Sequence, residues 1–113
     1  MIKIQLARWY VLDGKVPRRA RSLLEGARVF EDITQRRVAE TYIDGVRIST
    51  VFLGFDHQLF ESGPPLLFET MVFGGTLDHV IRRYSTWDEA EAGHAAMEQA
   101  VRLRLASSEI ERR

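Results

Sequence analysis

A chain of 113 residues and 13.0 kDa, with no cysteine and 16 basic residues balancing 16 acidic ones, has room for a single domain; disulfides, thiolate metal sites and a cysteine nucleophile are excluded. Zero net charge and a pI near 6.8 argue against a dedicated nucleic-acid binder, while 45% apolar and 28% charged residues fit an ordinary globular domain. No apolar run approaches the roughly 20 residues of a membrane span, and Gln5 and Arg8 break the N-terminal run, so a soluble, cytoplasmic protein is expected.

Met1 to Leu12 alternates imperfectly and leads into Asp13-Gly14, a tight-turn dipeptide, so a strand, a turn and a short return through Lys15-Val16 are predicted, with Pro17 stopping the return. Ser22-Leu23-Leu24-Glu25 is a capping box opening a short helix, whose apolar face is Leu23, Ala27 and Phe30. Asp44-Gly45 then joins Arg36 to Ile43 and Val46 to Phe55 in the strongest hairpin signal of the chain. Its register sets Tyr42 opposite Arg47, Glu40 opposite Ser49 and Val38 opposite Val51. The run from Arg47 to His57, rich in β-branched and aromatic residues, reads as the central strand on which the other elements pair or pack.

Gln58 to Pro65 reads as a loop, Leu66 to Phe73 as a strongly apolar strand, Gly74-Gly75 as a two-residue turn and Leu77 to Tyr84 as the return. That turn sets Thr70 opposite His79 and Phe68 opposite Ile81, leaving Glu69 among Leu67, Met71 and Val80 with Arg82 as its nearest partner. Thr86-Trp87-Asp88-Glu89 is a second capping box. The long helix it opens carries an apolar stripe of Trp87, Ala90, His94, Met97, Val101 and Leu105, with residues 107–113 as a frayed tail. The expected fold is one α+β domain over residues 1–113: a mostly antiparallel sheet of four or five strands, with a short helix and a long C-terminal helix packed on one face.

Three blocks also occur together: Ser49 to Gly54 followed by Asp56-His57; Gly63-Pro64-Pro65-Leu66-Leu67-Phe68-Glu69-Thr70-Met71 with Phe73-Gly74-Gly75; and Arg83-Tyr84-Ser85-Thr86-Trp87 with Glu89-Ala90 and Gly93-His94. In these blocks, over roughly residues 36 to 97, the chain resembles small uncharacterised proteins encoded by tailed phages and prophages. The resemblance implies a viral or prophage origin, hence an accessory protein that binds and inhibits a host component, for instance in anti-defence. It carries no catalytic residues.

The chemistry-bearing residues allow three readings. The first is that non-enzymatic inhibitor of a host protein. In the second, Arg36, Arg37, Arg82 and Arg83, together with Tyr42 and Tyr84, bind a nucleotide-like molecule by forking phosphate and stacking on a base; Asp56, His57 and Glu69 complete the candidate binding residues. In the third, His57, His79 and His94 converge on a metal in a small hydrolase, against which stands a core role for His94. Neither a cofactor nor a bound metal is expected. A homodimer is, through an uncovered sheet face bearing Leu67, Met71 and Val80 or through an outer helix patch of Ala92, Ala96 and Leu103.

Overall fold

The computed structural model describes residues 6–58 and 63–111. The first five residues of the expected first strand lie outside that description. A short 3-10 turn, Leu6–Arg8, precedes a hairpin of β1 (Tyr10–Asp13) and β2 (Val16–Arg19). Pro17 lies within β2 opposite Leu12 rather than ending it. In a two-stranded ribbon β2 has an outer edge, where the missing proline N–H leaves no ladder bond unmade.

Helix α1 (Leu23–Arg28) starts at Ser22, whose hydroxyl accepts from Glu25 N at 3.1 Å. The reciprocal arm of the expected capping box is displaced: the Glu25 carboxylate accepts from Arg21 N and is gripped by Arg18. Nor does α1 bury Leu23, Ala27 and Phe30, all of which are exposed. It rests Gly26 on the Trp9 ring, where an added Cβ would lie 2.9 Å from Trp9 Cε3. The short helix thus packs against the first hairpin. A one-turn helix, α2 (Ile33–Arg36), follows, capped by Asp32 on Thr34 N at 2.9 Å.

The larger sheet has antiparallel order β3-β4-β5-β6, with β3 Arg37–Ile43, β4 Val46–Phe52, β5 Phe68–Phe73 and β6 Ile81–Tyr84. The fold is therefore α+β, with strands divided between a two-stranded and a four-stranded sheet. Asp44 (φ 45°) and Gly45 (φ 81°) make the tight turn, and the expected register holds from Ile43↔Val46 to Glu40↔Ser49. A bulge at Val38 then pairs Arg37, not Val38, with Val51, so that Val38 can turn onto the core. The central strand is shorter than expected: Gly54, at φ 76°, breaks it beyond Phe52, and Phe55 makes only an isolated bridge to Trp9.

The β5–β6 connection differs most. Residues 74–80 form a wide turn in which the Asp78 carboxylate accepts from Gly74 N at 2.7 Å and His79 is left-handed at φ 69°. Leu77 and Val80 fold inward against the apolar core. Burying those two side chains displaces the register by three residues, so Thr70 faces Arg82 and Phe68 faces Tyr84.

Helix α3, Trp87–Glu111, opens with the complete capping box: Thr86 N donates to Glu89 Oε1 and Glu89 N to Thr86 Oγ1, both at 3.1 Å. It continues through the expected tail to Glu111, since no glycine or proline intervenes. Its stripe of Ala90, His94, Met97 and Val101 is buried on Val46, Ile48, Thr50 and Phe52 of β4 and Phe68, Thr70 and Val72 of β5. Trp87 and Leu105 flank the stripe half-buried.

Candidate functional site

With α3 on one face, alternation along β4, β5 and β6, and along β3 as far as its bulge at Val38, sends the other residues to the opposite face, where the bulge also brings Arg37. The pairings arrange them as a grid. Tyr42, Arg47 and Phe73 form one row, Glu40, Ser49, Met71 and Ile81 the next, and Arg37, Val51, Glu69 and Arg83 the third. Tyr42 is 69% exposed and Ile81 37%, while Val51, Met71 and Phe73 are half-buried among their neighbours.

The charges of this face are paired with one another. Glu40 Oε2 lies 3.2 Å from Arg37 Nε and 3.3 Å from Arg47 Nη2. The Tyr42 hydroxyl first, then Arg47 and Arg37, hold the Glu40 carboxyl below its ordinary range against the opposing effect of desolvation. Glu69 Oε2 is 3.0 Å from Nε of Arg83, its directly opposed neighbour. Arg82, the partner expected from the two-residue turn, bonds its own strand instead through Ile81 O. The Arg47 guanidinium also lies over Phe73, 5.0 Å from the ring centroid. The face is a set of aromatic and aliphatic side chains between fixed ion pairs, which suits a protein contact with a polar rim.

Of the expected binding residues, Arg37, Tyr42, Glu69 and Arg83 come together here, and Met71 from the dimer candidates joins them. Leu67 does not: at 2% exposure it is enclosed with Phe52, Phe68 and Ala90. Val80 likewise packs on the helix side. Tyr84 turns under α3, where a Cβ on Gly93 would lie 2.1 Å from its ring. Arg36 lies elsewhere, donating from Nε to Phe52 O. Ala92, Ala96 and Leu103 are exposed on the outer side of α3.

Asp56 and His57 secure a loop. Asp56 Oδ1 accepts from Gln58 N and Leu66 N, both at 2.9 Å, and His57 Nδ1 donates to Phe55 O at 2.9 Å. His79 sits beside Asp78 in the wide turn. His94 is in the core, so the three histidines occupy separate places, and among the described residues no three His, Cys, Asp or Glu side chains are grouped to hold a metal.

His94 belongs to a chain of polar groups that the linear sequence does not reveal. Its Nδ1 lies 2.6 Å from Thr50 Oγ1, itself 2.6 Å from Thr70 Oγ1, and its Nε2 lies 2.8 Å from Thr41 Oγ1, which bonds Glu98. A carboxylate only accepts, so Thr41 donates to Glu98 and must accept from His94 Nε2–H. Thr50 then donates to Nδ1 and accepts from Thr70. Every proton points one way, from Thr70 to Glu98, and the neutral imidazole is satisfied at both nitrogens. Burial lowers the His94 pKa, which the nearby Glu98 partly offsets. Thr50 and Thr70 have no solvent exposure, so this end of the chain ties the helix to the sheet inside the core.

No family model matches the chain, and neither does any curated protein or solved structure. No helix among the described residues is long and apolar enough to cross a membrane.

Proposed function

We propose that the protein is a non-enzymatic phage or prophage accessory protein that binds and blocks a host protein, as in anti-defence, through the uncovered face of its four-stranded sheet. The observation that carries this reading is the sidedness of the sheet. One face is closed by α3, and the other leaves Tyr42 and Ile81 in water beside Met71 and Phe73. A partner that covers these side chains gains about 25 cal/mol per Å² of apolar surface removed from water. Each charged side chain around them already has a partner, with Glu40 shared by Arg37 and Arg47, so docking desolvates bridged charges and meets one surplus positive charge. The phage-like blocks fit an inhibitor of this kind.

The test is retention of host proteins by immobilised wild type, Ile81→Glu and Ala92→Glu. A host protein held by wild type and Ala92→Glu but lost by Ile81→Glu is the expected result. Equal retention by all three would remove the sheet face from the account. Light scattering on the same variants distinguishes a host partner from a second copy of the chain: a wild-type dimer abolished by Ile81→Glu assigns the face to self-association.

A further inference from the structure

Where the β1–β2 hairpin, α1 and α2 meet the Phe52 end of β4, they border an open cleft of about 420 Å³. That lies within the range of small-molecule sites. Half-buried Leu12 and Val29 give it apolar walls over the buried Val11 and Phe52, and three arginines, Arg18, Arg28 and Arg36, line it as well. Arg18 is neutralised by a fork onto Glu25, at 2.8 and 2.9 Å, and by Asp13 at 2.9 Å. The other two have no carboxylate partner among the described residues. Arg36 is half-buried, spends its Nε on Phe52 O, and stacks over Phe30 at 4.7 Å from the ring centroid.

We propose that this cleft binds a small organic phosphate, with its phosphoryl oxygens on Arg28 and Arg36 and its apolar body against Leu12 and Val29. The charge count favours a phosphomonoester, which carries close to two negative charges at neutral pH and would meet two uncompensated guanidiniums. A half-buried cation without a counter-charge is costly, and burial alone pushes the Arg36 pKa down; an incoming dianion relieves that cost. The phosphate-free body alone would leave the cations as they are, and inorganic phosphate would leave the apolar walls in water. Both components are therefore needed for tight binding. The cleft is separate from the uncovered sheet face, so the inference stands or falls independently of the proposed host-protein contact.

The experiment is an amide-shift titration of the full chain with phenyl phosphate and with adenosine 5′-monophosphate, against phenol, adenosine and inorganic phosphate. Saturable shifts at Val11, Leu12, Val29 and Phe52 are expected with at least one ester, about tenfold tighter than with its phosphate-free counterpart or with inorganic phosphate. Arg28→Gln, a change at an exposed position, should weaken ester binding about tenfold at unchanged melting temperature. Arg36→Lys, which keeps the charge and the stem but loses the fork, should weaken it as well. The proposal is overturned if neither ester gives saturable shifts at millimolar concentration, if the shifts map outside the cleft, or if Arg28→Gln binds like wild type.

Discussion

At residue scale, His94 makes stability depend on pH in a direction set by its burial. The unfolded ring titrates near 6.5, and burial holds the folded ring below that value, so between the two the unfolded chain binds more protons. The stabilisation from the neutral ring is full above the unfolded value and is lost as pH falls through the folded one. Glu98 is the charged group that bears on the ring; the three threonines in the chain do not titrate in this range. Urea melts at about pH 7.5 and about pH 5 should show wild type losing more stability on acidification than His94→Leu. Equal losses would place the pH dependence elsewhere. Thr50→Val keeps the shape but leaves Nδ1 and Thr70 without a partner, at an expected cost of about 1–3 kcal/mol in the same melts. Gly93→Ala should lower the melting temperature although alanine favours helix by about 1 kcal/mol, because its methyl would overlap the Tyr84 ring. A higher melting temperature would mean that the ring moves aside freely.

At the scale of elements, α3 holds the sheet through its stripe. Met97→Ala is expected to cost about 2–5 kcal/mol in denaturant melts, since Met97 is buried among Ile48, Val72 and Val101. A loss within error would show that the stripe does not form the core. That stripe was legible in the sequence because helical periodicity and the Thr86/Glu89 box are local signals. So was the Asp44-Gly45 hairpin, whose turn fixes its register as far as Ala39. The second hairpin was misread because two adjacent glycines resemble a tight turn, whereas the connection is set by Asp78 and by inward burial of Leu77 and Val80. The Thr70–Thr50–His94–Thr41–Glu98 chain was illegible for a related reason. Thr50 and Thr70 are ordinary strand residues until the β4–β5 register places them side by side beneath His94.

At the scale of the molecule, the sequence points to an uncovered sheet face bearing Met71 but also assigns Leu67 and Val80 to it, both of which pack on the core side, and it names Arg37, Tyr42, Glu69 and Arg83 as binding candidates without a face, because faces follow only from the true pairing. What results is a domain with two unlike surfaces: an outer helix face with Ala92, Ala96 and Leu103, and a sheet face of aromatic and aliphatic side chains between ion pairs. If the sheet face is the contact surface, affinity for the retained host protein should be concentrated in a few of its residues. The most direct measurement is titration calorimetry of that host protein with wild type, Tyr42→Ala, Phe73→Ala and Ala92→Glu. The expected result is a loss of affinity of about 30-fold or more at Tyr42 or Phe73, equivalent to about 2 kcal/mol, with Ala92→Glu binding like wild type. Full affinity in both sheet variants together with loss in Ala92→Glu would contradict the account and assign the contact to the helix.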